Sequence, residues 1–205
     1  MSGDGQRPAG IVRRLLLGVD PVRRAIYVLG MVPAGWYFYR GLTDQLGVDP
    51  QNILERALGL WAIRFLVLSL AVTPLRTFGG PSLLRYRRAI GLLAFYYAAL
   101  HLTAYVLIDK QLDVAEIVAD VAKRPYITLG MIAFVILIPL AITSNAPMIR
   151  WLGGVRWRRL HRLVYVAAIA GALHFIMLVK AWPLEPLAYA AAVVLLLGLR
   201  LVHRR

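Results

Sequence analysis

The sequence predicts an all-α integral membrane protein, a bundle of six transmembrane helices with both chain termini in the cytoplasm. Of its 205 residues, 60% are hydrophobic and the mean hydropathy is +0.67, whereas soluble domains are nearer half apolar. The apolar residues are gathered in runs that are long enough to cross a bilayer. Arginine-rich loops alternate with acidic loops along the chain, which is the charge pattern of a multi-pass membrane protein.

Six apolar spans account for most of the chain. They cover residues 25–42, 57–75, 89–108, 126–143, 161–179 and 184–202. Each contains roughly 18–20 residues, close to the number needed to cross about 30 Å of hydrocarbon. We therefore expect a single six-helix domain over residues 25–205, preceded by a basic cytoplasmic segment over residues 1–24. That segment has a short apolar run of three leucines and does not resemble a cleaved signal peptide.

The distribution of charge predicts how the spans are oriented. Arginines cluster before the first span, between the second and third, between the fourth and fifth, and after the sixth, while the other loops hold most of the acidic residues. The positive-inside rule then places both termini in the cytoplasm. The net charge of +14 is divided among these short clusters, which argues against a folded basic face for nucleic acid.

One acidic loop predicts a helix of its own. Between residues 113 and 124, the apolar residues Val114, Ile117, Val118 and Val121 recur at helical spacing, with acidic residues on the opposite side. This pattern is typical of a short amphipathic helix on the outer membrane surface. A plain connector with chance periodicity is the alternative.

Two histidines lie inside predicted spans at matching depth. His101 is 13 residues beyond Arg88, and His174 is 12 residues beyond Arg162, so both reach roughly 18–20 Å from the arginine clusters. Such a pair can bind the two axial positions of one iron porphyrin. The alternative is a hydrogen bond across a close helix–helix contact. On one helical face, the residues up to three turns before these histidines are small, as a flat macrocycle requires: Gly91, Ala94, Ala98, Ala167, Ala170 and Gly171.

A third histidine is a conditional ligand. His161 lies 13 residues before His174, about 20 Å nearer the cytoplasm but about 220° around an ideal helix. It suits a second heme if the helix is unwound there, and an interfacial residue among lipid phosphates is the alternative. Arg88 stands where an opposing ligand is expected, and arginine is a good propionate partner. The chain has no cysteine, which excludes covalent heme attachment, so histidines alone would hold one heme or two.

Arg64 is the other charged residue within an apolar span. Exposing its charge to lipid would cost free energy. Its predicted depth in the membrane is close to that of His101 and His174. We expect it to pair with a propionate of their heme. The alternative is an arginine that snorkels to the outer headgroups.

These residues carry a family resemblance over nearly the whole chain. The stretches RRAIGLLAFYYAALHLTAYVLID, LAITSNAPMIRWLGGVRWRRLHRLVY and GALHF resemble the ferric-reductase-like transmembrane domain. More narrowly, they resemble the heme-binding membrane subunits of bacterial protein-methionine-sulfoxide reductase systems. The resemblance implies b-type heme held by His101, His174 and His161. It also implies FMN binding, for which no residues can be assigned.

The resemblance further implies partners and a direction of electron flow. The expected donor is the quinone pool or a cytoplasmic flavin reductase, and the expected acceptor is a periplasmic molybdopterin-dependent reductase that repairs methionine sulfoxide in envelope proteins. The broader family continues into a cytoplasmic flavin and nicotinamide domain and carries four ligand histidines; this chain ends at Arg205, has no G-x-G-x-x-G and offers three. We therefore expect an electron-transfer subunit, not the sulfoxide-reducing one. The rivals are a stand-alone ferric or quinone reductase and a non-redox scaffold or transporter.

Overall fold

The computed structural model describes residues 20–179 and 183–202, and the regular structure in these ranges is helical throughout. This confirms the all-α prediction for the described part of the chain. Residues 1–19 of the predicted N-terminal segment lie outside it. The helices are α1 (Pro21–Leu42), α2 (Pro50–Thr77), α3 (Arg87–Ala104, continued by a π-helical turn over Tyr105–Asp109), α4 (Val114–Lys123), α5 (Pro125–Ile142), α6 (Ala146–His161), α7 (Val164–Leu178) and α8 (Leu184–Val202).

Several of these helices are long and apolar enough to cross a membrane. Among the described residues, four segments meet both conditions: Pro50–Thr77, Arg87–Asp109, Pro125–Ile142 and Ala146–Leu178, the last combining α6 and α7. The chain is therefore a membrane protein with several apolar helices. The helices α1 and α8 coincide with the first and sixth predicted spans but are not among the four. The six-span count and the cytoplasmic termini stay predictions.

Polar caps and prolines explain where several helices begin. The side chains of Asp20, Asp49, Asp113 and Asn145 each accept a hydrogen bond from a backbone N–H in the first turn of α1, α2, α4 and α6. Proline occupies one of the first two positions of α1, α2, α5 and α6. A capping oxygen satisfies an otherwise unpaired N–H, and proline has no N–H to satisfy.

The structure confirms one local prediction and corrects another. The amphipathic helix expected over residues 113–124 is α4, although its place on a membrane surface stays a prediction. The fifth span does not begin at His161, because His161 ends α6 and a turn at Arg162 and Leu163 separates it from α7. The helix α6 was not predicted, and it bends at Gly153, where φ is +73°.

Two antiparallel helix pairs form the centre of the bundle. The helix α3 packs along α2, and α7 packs along α5, whereas α3 and α7 are not among the described pairs that pack closely. Both α3 and α7 begin at the end of the bundle where Arg87, Arg88, Arg158 and Arg162 lie together. We call this the arginine end, and the opposite end, where α3 gives way to α4, the acidic end.

The outer helices α1 and α8 are fixed to this centre by polar contacts. The hydroxyl of Tyr97 on α3 donates to the Gly30 carbonyl at 2.7 Å and accepts from the Ala34 N–H at 3.0 Å. It thereby inserts into the hydrogen-bond ladder of α1. On α8, Arg200 donates to the hydroxyl of Tyr165 and to the backbone carbonyl of Leu70.

Candidate heme site

The structure brings His101 and His174 together between α3 and α7. The centres of their rings are 6.1 Å apart, and the ring planes are inclined at 73°. An imidazole nitrogen binds a metal ion at about 2 Å and lies about 1 Å from its own ring centre, so two rings on opposite sides of one ion have centres about 6 Å apart. The observed separation therefore suits two axial ligands of a single iron.

Each of these two rings is oriented by a backbone carbonyl. The Nδ1 of His101 lies 2.9 Å from the carbonyl oxygen of Glu55 on α2, and the Nδ1 of His174 lies 2.7 Å from that of Tyr126 on α5. A carbonyl can only accept, so Nδ1 carries the proton and Nε2 keeps the free lone pair. A metal-binding histidine typically donates its second ring nitrogen in this way.

The donor set fits a porphyrin iron better than a bare metal ion. Within residues 20–179 and 183–202, no group of three or more histidine, cysteine, aspartate or glutamate side chains could hold a metal ion. A porphyrin supplies four nitrogens itself and needs two axial ligands. Beside the pair, a Cβ on Gly171, one turn before His174, would meet no atom within 4 Å. The residues present could therefore hold a heme.

His161 is not part of this pair. It lies in a separate cavity of about 530 Å³ at the arginine end. Its ring stacks on Trp157 at 3.9 Å, and its Nε2 lies 3.0 Å from the Thr143 hydroxyl. Because that hydroxyl donates to the Pro139 carbonyl, it accepts from Nε2, which therefore carries the proton of His161. This is the opposite nitrogen from the one that is hydrogen-bonded in His101 and His174.

The cavity around His161 is strongly basic. None of the residues that line it is acidic, and six are arginines: Arg23, Arg85, Arg87, Arg88, Arg158 and Arg162. Arg88, predicted to stand opposite His161, is thus in the same cavity. Such a concentration of guanidinium groups favours an anionic ligand, such as carboxylates or phosphate.

Arg64 has partners that the sequence did not reveal. Its Nε donates to the hydroxyl of Tyr189 at 2.9 Å, and its Nη2 lies 3.6 Å from a carboxylate oxygen of Glu185. The guanidinium also lies 4.9 Å from the ring centre of Trp61. Two of these partners belong to α8, so Arg64 joins α2 to α8 within the apolar part of the bundle.

A buried ionic network lies at the acidic end. The side chain of Lys110 is 9% exposed and contacts the carboxylates of Asp109, Glu116 and Asp120. Its hydrogen bond to Glu116 raises the pKa of Lys110 against the effect of burial. Burial by itself raises the pKa of Asp120, but hydrogen bonds from Lys110 and Tyr105 outweigh it and lower the pKa overall. The network ties α4 to the end of α3.

The same network reaches the backbone that orients His174. Arg124 Nε lies 3.2 Å from Asp120, and Arg124 also donates to the hydroxyl of Tyr126 at 3.4 Å. The carbonyl of Tyr126 accepts from His174. The helix α4 is thus connected to one imidazole of the pair through Arg124 and Tyr126.

Comparisons with known proteins show the family of the chain. The family described as ferric reductase like transmembrane component matches residues 58–172. The chain is 55% identical, over 178 residues, to the protein-methionine-sulfoxide reductase heme-binding subunits MsrQ of Brucella anthropi, Brucella ovis and Brucella canis. Each match covers 87% of this chain and 80% of the relative. The chain therefore belongs to the ferric-reductase-like transmembrane family and, within it, to the MsrQ heme-binding subunits of protein-methionine-sulfoxide reductase.

Proposed function

We propose that this chain is a transmembrane b-type cytochrome that relays electrons to a periplasmic methionine sulfoxide reductase and so supports repair of oxidised envelope proteins. The observation that supports the proposal most strongly is the His101–His174 pair, with its ring centres 6.1 Å apart and both Nδ1 atoms bound to carbonyls. The relatives are named as heme-binding subunits of the same reductase. The chain lies in the bacterial inner membrane with six spans and both termini in the cytoplasm.

His101 and His174 would hold a heme near the acidic end through their Nε2 atoms. The carbonyls of Glu55 and Tyr126 hold both rings and raise the basicity of Nε2, which stabilises its bond to iron. A heme held there by two histidines would supply one-electron chemistry and would leave no position on its iron for a substrate. This suits a relay, because the sulfoxide is reduced on the partner subunit.

The arginine end holds the entry site for electrons. Arg88, with its neighbours in the basic cavity, binds the propionates of a second heme or another anionic group on the donor side. His161 is the candidate iron ligand there, and it binds through Nδ1 or after leaving Thr143. The donor is the quinone pool or a cytoplasmic flavin reductase, and FMN remains a family-based proposal without assigned residues.

The acidic end is the exit toward the partner. The helix α4 and the segment over residues 182–185, of which Leu184 and Glu185 begin α8 and residue 182 lies outside the described ranges, form the docking surface for the molybdopterin-dependent subunit. The connection from α4 through Tyr126 to His174 supports this assignment. Arg64, also toward this end, pairs with a propionate of the heme that His101 and His174 hold.

A pyridine hemochrome count on purified protein tests the proposal. We expect a red preparation with a low-spin b-type spectrum and loss of the heme of the histidine pair in His174→Ala. A further loss of heme in His161→Ala would identify the anionic group at the arginine end as a second heme. His203→Ala, which removes the chain's fourth histidine, is the matched control and keeps the full count. A colourless wild-type preparation from heme-replete cells would contradict the cytochrome assignment.

A further inference from the structure

We propose that Gly59 and Gly130 are positioning residues for the two imidazoles, and that glycine at these sites sets the orientation of both rings. The inference rests on the proposed heme site and concerns how that site is tuned. Neither glycine is a ligand. Each lies on the helix that packs against a histidine-bearing helix, α2 against α3 and α5 against α7.

The closer approach is at Gly130. A Cβ built on this residue would lie 2.9 Å from Nδ1 and 3.1 Å from Cε1 of His174. Real Cβ atoms essentially never come within 3.0 Å of another heavy atom, and the neighbour here is a rigid ring. A methyl group at this position would therefore displace the imidazole.

The equivalent contact on the other side is slightly looser. A Cβ on Gly59 would lie 3.2 Å from Nδ1 and 3.3 Å from Cε1 of His101. That distance requires a shift of a few tenths of an ångström. The two contacts therefore predict effects of the same kind but different size.

The two contacts share one local geometry. The carbonyl that accepts from His101 belongs to Glu55, four residues before Gly59, and the carbonyl that accepts from His174 belongs to Tyr126, four residues before Gly130. In an α-helix that carbonyl already accepts from the N–H of the glycine itself. The second lone pair of the carbonyl oxygen can therefore accept a hydrogen bond from an imidazole that lies against the glycine.

This geometry fixes the rings more firmly than a hydrogen bond alone. The χ2 torsion of histidine has broad minima, so one hydrogen bond leaves a range of ring orientations. Contact of each ring with a glycine backbone narrows that range, and the two rings then keep their inclination of 73°. Ring inclination and Nδ1 hydrogen bonding influence the low-spin EPR signal and the midpoint potential of an iron bound by two imidazoles.

The test compares Gly130→Ala, Gly59→Ala and Gly198→Ala in the full-length, heme-loaded protein. Gly198 is the matched control, because a Cβ there meets nothing within 4 Å. The measurements are heme content, the low-spin EPR g-values and the midpoint potential. We expect a clear shift of g-values and potential in Gly130→Ala, a smaller shift in Gly59→Ala, and wild-type values in Gly198→Ala.

The outcomes separate this inference from the proposed function. Wild-type g-values and potential in a folded, heme-loaded Gly130→Ala protein would overturn the positioning role while leaving the heme site intact. If Gly130→Ala does not fold, wild-type g-values and potential in a heme-loaded Gly59→Ala protein would overturn the positioning role. Failure of the wild-type protein to bind heme would instead overturn the proposed function itself.

Discussion

Arg64 shows how a charged side chain is accommodated inside the apolar part of the bundle. It donates to Tyr189 and approaches Glu185, both on α8, while its guanidinium lies over Trp61. These contacts partly neutralise the arginine without removing its charge. A cation near a heme stabilises the reduced iron, because reduction adds one negative charge.

Replacing Arg64 with leucine should therefore lower the midpoint potential of the heme at the acidic end. A unit charge about 10 Å away at an effective dielectric of about 20 contributes roughly 1.7 kcal/mol, so a fall on the order of tens of mV is expected. Arg56→Leu, which removes an exposed arginine from the same helix, is the control in a redox titration. An unchanged potential in Arg64→Leu would exclude the propionate role.

The Lys110–Asp120 pair predicts how α4 responds to acid. The pKa of Asp120 is lowered in the folded protein, so its contribution to stability is complete above its unfolded pKa of about 3.9. That contribution is lost as the pH falls through the lower folded value. Hydrogen exchange in α4 should consequently keep a constant protection factor from neutral pH to about pH 5 and lose protection below about pH 4.

Asp120→Asn should loosen α4 at neutral pH as well. It removes the charge of one of three carboxylates around the ammonium of Lys110, which is 9% exposed and keeps Asp109 and Glu116, so the expected loss is roughly 2 kcal/mol, the net contribution of a hydrogen bond to a charged group. We expect faster amide exchange confined to α4 and an unchanged heme spectrum. Asp44→Asn, at an exposed turn position, should leave exchange in α4 unaltered; equal exchange in both variants would speak against the network.

The sequence predicted the paired histidines but not what orients them. Counting residues from the arginine clusters places His101 and His174 at one depth, and in the structure their ring centres are 6.1 Å apart. Their partners are backbone carbonyls, and every residue has one, so no residue type marks Glu55 or Tyr126 in advance. The Arg64–Tyr189 contact joins residues 125 positions apart, which no local pattern reveals.

At the scale of elements, α4 presents an apolar stripe away from the bundle. Val114 is 69% exposed and Val118 is 61% exposed, while Asp120 on the same helix is buried. The buried acid anchors the helix, and the exposed valines remain available to a partner. This division of roles favours α4 as a rigid docking element.

Val114→Glu combined with Val118→Glu should slow reduction of the periplasmic subunit at least tenfold, since burying two new charges at an interface costs well over 1.4 kcal/mol. The heme spectrum should stay unchanged, because both side chains are exposed on α4. The rate is measured by stopped-flow with the purified partner. Val48→Glu, in the loop between α1 and α2 where Val48 is fully exposed, is the control; loss of heme in the double variant would argue against a pure docking role.

The helix α6 illustrates what apolar runs cannot predict. Its sequence is rich in arginine and is interrupted by Gly153 and Gly154, so it lacks the hydrophobic excess of a span. The only signal of α6 in the sequence is the N-cap residue Asn145 followed by Pro147, a pattern typical of a helix start. Because α6 ends at His161, this histidine does not belong to the helix that carries His174. Its side chain lies in the arginine-lined cavity instead.

For the whole molecule, the contacts of the outer helices favour a six-span bundle. The hydroxyl of Tyr97 enters the backbone ladder of α1, and Val193 on α8 is 1% exposed within the main apolar core. Both helices are therefore bound to the four segments that meet the length and hydropathy conditions. An even number of spans places both termini on the same side of the membrane.

Cysteine accessibility tests this topology with little background, because the chain has no cysteine. Val48→Cys lies in the α1–α2 loop, whereas Ser82→Cys and Trp151→Cys lie near the arginine end, and all three positions are exposed. If the arginine loops are cytoplasmic, a membrane-impermeant maleimide should label Val48→Cys in intact spheroplasts. The other two should be labelled only after permeabilisation. Labelling of Ser82→Cys in intact spheroplasts would reverse the orientation and, with it, the assignment of α4 to the side of the periplasmic partner.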